Sequence, residues 1–512
     1  MNLKLGSLYT SAGGAIRMVV SLVTGPLVIR LLGVNEYGVL AVCWGVMGLC
    51  NIAQFGLVSA LNIYLAAEYA RKDYANARRT IATAVGLLTV SGGVVMVALL
   101  VASPSLAGRL FGVGGDAGKA LLALQLLVGS LVLRFWNLAL VAIEGAMLRY
   151  DWQVMIESPA TLINQIGLCV VAYWTRSAWA VALWVTVTTF MVCCAHLWVL
   201  RRLLRPMAGP WTFDLQTARR LLRFGIKQWF NSLGSILFSS ADRLIINAAL
   251  GRDAVGIYAA AVTVANKVPE VAGMVINVLP PAVSAAYAIG DHGRIRQLLR
   301  KSARVNGAVC FAGAAGLLLL SPWVAMLVFG PTHAGTALPV LQIAGLIYGW
   351  MGLVNLAGCF ALGMDRPGVI AVWSLTGSAV TLLGMKVLAG VAGLEGATWA
   401  NLGFLLNALV TVAVARQLEV SLAEVGRIFA PAAAGMLLCW LLAGRGFYFD
   451  MSWWQHGALW VVLTGVLGYW IVGRELIAET AGLIRGLLEQ MLASLRTAAA
   501  SLSFSGEAGK HR

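Results

Sequence analysis

Leu250–Gly256 reads LGRDAVG, and Leu32–Gly38, 218 residues earlier, reads LGVNEYG. Each heptad leads into a long apolar run that closes on a short polar loop, EYARKD at Glu68–Asp73 and AYAIGD at Ala286–Asp291. Superposed without a gap, the two stretches also match Ala41 to Ala259, Leu61 to Leu279, Tyr69 to Tyr287 and Arg78 to Arg296. The interval holds six apolar runs, an even number. Two such halves enter a membrane in the same orientation and are related by an axis along its normal, with a binding site expected between them.

The composition requires a membrane. Of 512 residues, 60% are hydrophobic and 11% charged, with a mean hydropathy of +0.83, whereas a soluble domain carries about 25% charged residues. A span needs about 20 apolar residues. Read this way the chain has about fourteen, near 8–32, 38–66, 80–103, 120–146, 154–175, 178–200, 224–250, 255–287, 305–330, 336–362, 368–390, 395–416, 428–444 and 456–473. The expected fold is all-α and polytopic, with a first six-helix bundle over 1–205, a second over 206–420, two further membrane helices over 421–474 and a cytoplasmic amphipathic tail over 475–512. In that tail Leu476, Leu483, Leu487, Met491 and Leu495 share one helical stripe, as in a helix lying on a membrane surface.

The net charge of +16 follows the loops. Arg71, Lys72, Arg78 and Arg79 lie in one, Arg201 to Arg223 in another and Arg294 to Arg304 in a third, while the alternate loops hold only scattered cations such as Arg109, Lys119 and Arg252. Basic loops stay inside, so both termini are expected in the cytoplasm. The charge therefore points to membrane topology, and nucleic acid is excluded as a partner because no basic patch has interleaved aromatics. The eight cysteines lie in apolar segments without a CxxC and read as small buried hydrophobes, neither disulfides nor metal ligands. GVGGDAGKA at Gly112–Ala120 mimics a phosphate loop but has Val113 where glycine is required and Ala120 where Ser or Thr is required. No HExxH or GxSxG occurs. No catalytic residue, metal or cofactor is expected.

Polar residues inside the spans carry the functional signal. Lys227, Asn231, Ser235 and Ser239 step by four residues toward Asp242 and Arg243, one face of one helix. Asn266, Glu270, Asn277 and Ser284 mark the next span, with Lys267 alongside. The first repeat does likewise with Thr10, Gly14, Arg17, Ser21 and Thr24, followed by Asn51, Gln54 and Asn62. Arg134, Asn137 and Glu144 share a further span, and Glu157, Thr161 and Asn164 another. A charge at the bilayer centre costs roughly 2.5–3.5 kcal/mol, so these stripes face protein or a water-filled cavity. The cations Arg17, Arg134, Lys227, Arg243 and Lys267 outnumber the acids Asp242, Glu144 and Glu270. Excess cation suits an anionic substrate, since guanidinium matches phosphate; the acids are candidates for ion coupling. A structural ion pair is the alternative for any single residue.

The stretch ADRLIINAALGRDAVGIYAAAVTVANKVPEVAGMVINVLPPAVSAAY (241–287) and its counterpart GPLVIRLLGVNEYGVLAVCWGVMGLCNIAQFGLVSALNIYLAAEYA (25–70) resemble the polysaccharide transporter branch, with its Wzx-type flippases, of the multidrug/oligosaccharidyl-lipid/polysaccharide exporter superfamily. The resemblance covers the chain to about residue 420. It implies two six-helix bundles, two added helices, alternating access around a central cavity, and movement of undecaprenyl-diphosphate-linked oligosaccharide from the inner to the outer leaflet of a bacterial inner membrane. It places Arg17, Lys227, Asp242, Arg243, Lys267 and Glu270 in regions of cavity charge. Its partners are the lipid-linked oligosaccharide, membrane lipids, a coupling ion (H+ or Na+), and a glycan polymerase and glycosyltransferases. A multidrug antiporter of the same superfamily and a membrane glycan polymerase or ligase are the competing readings. Excess cavity cations and the expected fourteen spans argue against the antiporter, and short outer loops against the enzyme.

Overall fold

Gly33 and Gly251 break the chain in the same way in the computed structural model. Their φ/ψ angles are 83°/161° and 86°/179°, a region closed to side chains with a Cβ. Residues 20–21, 24–111, 117–147, 149–205, 207, 209–276, 279–444 and 453–472 are described. Each glycine ends one helix and starts another: α1 (24–32) gives way to α2 (Val34–Cys50) as, in the second half, α9 (Leu215–Leu250) gives way to α10 (Arg252–Ala265). The correspondence continues. Lys72 (φ 59°) and Gly290 (φ 71°) take left-handed conformations at matching turns. Asp73 then caps α4 (Tyr74–Phe111) by accepting from the Asn76 N–H at 3.2 Å, and Asp291 caps α13 (His292–Leu319) by accepting from the Arg294 N–H at 2.9 Å. The sequence repeat is thus a backbone repeat.

The first half continues with α3 (Leu57–Ala70), α5 (Ala117–Gly129), α6 (Leu131–Ala146), α7 (Tyr150–Thr175) and α8 (Ala178–Leu203). The second continues with α11 (Lys267–Ile276), α12 (Leu279–Ala288), α14 (Ser321–Gly363, kinked at Gly330), α15 (Pro367–Trp399, kinked at Ala392–Gly393), a 3-10 segment (Ala400–Asn407) and α16 (Ala408–Gln417). Each half packs on itself, and α2 joins them through α9 and α10. The added helices α17 (Leu422–Gly444) and α18 (Trp453–Val472) pack on α13 of the second half. The exterior is apolar: Val90, Val94, Val97 and Val101 form an exposed stripe along α4, as do Val380, Leu383, Val387 and Val391 on α15. Such faces are stable only against lipid.

Ten helical segments among the described residues are long and apolar enough to cross a membrane. This number leaves the expected count of about fourteen unconfirmed, because Pro367–Gln417 alone holds two expected spans, 368–390 and 395–416, and other expected spans are divided. The expected span 38–66 is split where Phe55 and Gly56 turn left-handed, at φ 46° and 66°. The expected span 255–287 is divided into α10, α11 and α12. The helix α18 coincides with the expected 456–473 span but is not among the ten. Most of the expected 8–32 span and the whole 475–512 tail lie outside the described residues. All eight cysteines are free, yet Cys194 is exposed and Cys169 half-buried, so the expectation that all are buried is corrected for these two.

Candidate functional site

Between the halves, α1, α10, α11, α13 and α14 surround a cavity of about 560 Å³ that α18 walls through Trp460. Its lining is apolar apart from Ser21, Thr263 and Lys267. The Trp460 Nε1–H donates to the Ala312 carbonyl at 2.9 Å, and its ring lies where a Cβ on Gly316 would stand, so α18 seats closely on α13. Lys267 is the charged group of this chamber. Its ammonium donates to Glu270 Oε2 at 2.7 Å and to Ser21 Oγ at 3.1 Å, joining α11 to the first repeat. The Glu270 side chain is 46% exposed and that of Lys267 20%. Behind the lining, the buried Tyr37 hydroxyl approaches Thr263 Oγ1 at 3.4 Å.

Asp242 and Arg243 do not form an ion pair. Neighbouring residues on a helix point about 100° apart, and these two part accordingly. The Asp242 carboxylate is buried within the second half beside Tyr258, which exchanges hydrogen bonds with Asn401. Its Oδ1 accepts the Arg243 backbone N–H at 2.7 Å. The Arg243 side chain runs the other way, across Gly45 of α2. Its Nε is buried without a hydrogen-bond acceptor among the described residues. Arg134 lies on α6 beside Cys50 and has no ion pair among the described residues. Lys227 lies within α9, and Arg17 lies outside the described residues. The expected site residues therefore divide. Lys267 and Glu270 meet at the cavity, Arg243 sits where α2 crosses α9, and Asp242 belongs to a separate buried network.

Glu144 belongs to another cluster, inside the first half. Its Oε1 lies 2.8 Å from Nδ1 of His196, whose Nε2 lies 3.3 Å from Glu157 Oε1. His196 was not singled out from the sequence, because it stands alone in the apolar run CCAHLWVL and its partners are 52 and 39 residues away. The available signal was the pair of acids, Glu144 and Glu157, in successive apolar spans.

Comparison with known proteins adds two kinds of likeness. A family model described as polysaccharide biosynthesis protein matches residues 27–337. Among curated proteins, the uncharacterized membrane protein EpsK of Bacillus subtilis (strain 168) is 25% identical over 404 residues, 70% of this chain and 76% of that protein. The amylovoran biosynthesis protein AmsL of Erwinia amylovora is 26% identical over 183 residues, 35% of this chain and 45% of its own length. Among solved structures, the lipid II flippase MurJ in an inward closed conformation superposes with TM-score 0.71 at 10% identity, covering 90% of this chain and 98% of MurJ. An inward-facing multidrug resistance MATE family transporter superposes with TM-score 0.66 at 14% identity, over 79% of this chain and 98% of its own. At these identities the structural likeness shows the fold alone.

Proposed function

This chain belongs to the polysaccharide biosynthesis protein family, and from that premise we propose that it is a flippase moving undecaprenyl-diphosphate-linked oligosaccharide from the cytoplasmic to the outer leaflet of a bacterial inner membrane. It acts by alternating access, without covalent chemistry or a cofactor. Residues 1–205 and 206–420 are the two moving bundles, 421–474 the added helices and 475–512 the surface tail. The clusters Arg71–Arg79, Arg201–Arg223 and Arg294–Arg304 support an orientation with the Asp73/Asp291 end, and both termini, in the cytoplasm.

The observation that supports this reading best is the cavity between the halves. A diphosphate head needs a cation, and Lys267 supplies one. A polyprenyl tail needs apolar walls, and α13, α14 and Trp460 supply them. The volume, about 560 Å³, is in the roughly 300–1,000 Å³ range that buries a drug-sized ligand, so a long amphiphile is held there by part of its length. In the described state Lys267 is engaged by Glu270. An incoming diphosphate takes the ammonium from Glu270 and leaves that carboxylate to accept a coupling ion, H+ or Na+. Glycosyltransferases supply the substrate on the inner side and a glycan polymerase consumes it on the outer.

The test is genetic and chemical. Loss of the protein should leave lipid-linked oligosaccharide in the membrane, protected in intact spheroplasts from a membrane-impermeant glycosidase. Oligosaccharide that remains accessible from outside, together with a changed sensitivity to cationic drugs, would contradict the flippase and favour the multidrug antiporter.

A further inference from the structure

The geometry points to a proton-loading site made by Glu144, His196 and Glu157, and hence to H+ as the ion whose gradient drives transport. The inference rests on the transport reading for its purpose, but the site itself stands on a proton count. Both ring nitrogens of His196 meet a carboxylate oxygen, at 2.8 Å and 3.3 Å. A neutral imidazole has one N–H and can donate to only one of them. For both contacts to be hydrogen bonds the three groups must hold two protons, whether on an imidazolium or on a carboxyl group. Removing one proton turns one contact into a repulsion between lone pairs. The geometry of the cluster therefore reports its protonation.

The three groups are also ordered by access. The side chains of His196 and Glu144 are 0% exposed and that of Glu157 is 36% exposed. The second oxygen of Glu144, Oε2, is buried with no hydrogen-bond partner among the described residues. Glu157 is the entrance and Glu144 the terminus. A proton from water binds Glu157 and passes to Nε2; Nδ1 gives its proton to Glu144 Oε1; the ring is left with Nε2–H donating to Glu157. One proton has moved inward and no other reactant is consumed. Both ring nitrogens are occupied by these contacts, which leaves none for a metal ion.

Among the described residues, His196 is the one cationic partner of Glu144 and Glu157. Arg149, at the start of α7, pairs with Asp151 at 2.9 Å. Glu68 of α3 pairs with Arg220. Arg134 stands ten positions before Glu144 on α6, and Arg201 and Arg202 follow at the end of α8. On α2 and α5 the charged residues are Glu36, which accepts the Ala178 N–H, and Lys119, both at the opposite end of the bundle. On α4 they are Arg78, Arg79 and Arg109, at its two ends. Cys193 and Cys194 are the remaining titratable neighbours on α8.

Among the described residues, the second half has no such site. The backbone bond from the Arg149 N–H to the Glu144 carbonyl recurs as Arg366 N–H to Ala361, and Arg176 (φ 46°) recurs as Gly393 (φ 57°). Glu144 and Glu157 thus correspond to Ala361 and Ser374, and α16 contains no histidine. The cluster is therefore not among the features that the two halves share. It also approaches the cavity: two turns beyond Glu157, the Gln165 Oε1 accepts from Thr24 Oγ1 of α1 at 3.0 Å, and Pro26 of α1 lines the cavity.

The experiment uses the full chain in lipid vesicles. Infrared difference spectra between about pH 5 and 8, the range in which histidine titrates, should show a carboxyl band that shifts in D2O and is lost in Glu144→Gln. Absence of any such band in the unaltered protein would overturn the site without recourse to a variant. With undecaprenyl-diphosphate-linked oligosaccharide as probe, an imposed pH gradient should accelerate translocation in the unaltered protein. His196→Gln should retain translocation without a gradient and lose the acceleration; acceleration retained in full by His196→Gln would equally overturn it. A titrating band in a protein that moves no oligosaccharide would support the proton site and sink the flippase reading instead.

Discussion

The Asn35 side-chain amide donates a 2.9 Å hydrogen bond to Asp253 Oδ1, and the two positions are 218 residues apart, the interval that relates the halves. A residue that touches its own counterpart lies at the axis between the repeats. The glycines one turn on confirm the crossing. A Cβ on Gly38 would fall against the Arg252 carbonyl, and a Cβ on Gly256 against the carbonyl of Val34, the counterpart of Arg252. Here α2 and α10 touch backbone to backbone. With the Asp73/Asp291 end in the cytoplasm, as proposed, we assign this contact as the outer gate of the alternating-access cycle.

Gly38→Ala and Gly256→Ala should each loosen that gate. Alanine ordinarily favours a helix over glycine by about 0.8–1.0 kcal/mol, whereas forcing a methyl into a packed site costs about 1–3 kcal/mol, and a backbone carbonyl has little room to yield. Net destabilisation and faster thiol labelling of Asn35→Cys are expected. Unchanged labelling and a higher melting temperature would show that the crossing is not tight.

The repeat was legible because LGxxxxG and the aspartate caps are local signals, fixed by what a left-handed turn and an N-terminus require. The polar stripes were legible as stripes, since helical spacing selects a face. Which face meets which neighbour was not. Asp242 and Arg243 look like a pair in sequence and diverge in space, and His196 has no local signal because its partners come from two other helices. The splits at Phe55–Gly56 and Asn266 escaped because lipid-length hydropathy averages over a turn.

Lys267 should matter through its charge. A charge-assisted contact is worth about 1.5–3 kcal/mol, so Lys267→Ala should lower glycan export per membrane-inserted molecule roughly tenfold or more, with Lys267→Arg retaining most of it. Arg243→Ala should lower export as well, with Arg243→Lys recovering only part. Full export in Lys267→Ala, normalised to membrane protein, would remove the cationic cavity from the account; the Arg243 variants test the crossing of α2 and α9, outside the cavity lining.

Two acids outside the spans should give the protein an acid limb. The Asn76 backbone N–H and side-chain amide hold the Asp73 carboxyl below the usual carboxylate range, and the Thr217 hydroxyl and N–H do the same for Asp214, which caps α9. A depressed folded value means that their stabilisation is complete above the unfolded value of about 3.9 and is lost as pH falls through the folded value. Thermal unfolding of Asp73→Asn and Asp214→Asn in detergent should therefore depend less on pH below about 4 than the unaltered protein. An unchanged acid limb in both would locate it elsewhere.

The central claim is that lipid-linked oligosaccharide crosses as the halves open and close about the Asn35–Asp253 contact. It is tested most directly by translocation of undecaprenyl-diphosphate-linked oligosaccharide into vesicles containing Asn35→Cys/Asp253→Cys in a background without the native cysteines. The double variant should translocate when reduced, stop when a short bifunctional thiol reagent with a cleavable disulfide links the two positions, and resume when the link is reduced. Translocation that continues with the two positions fully linked would contradict the account.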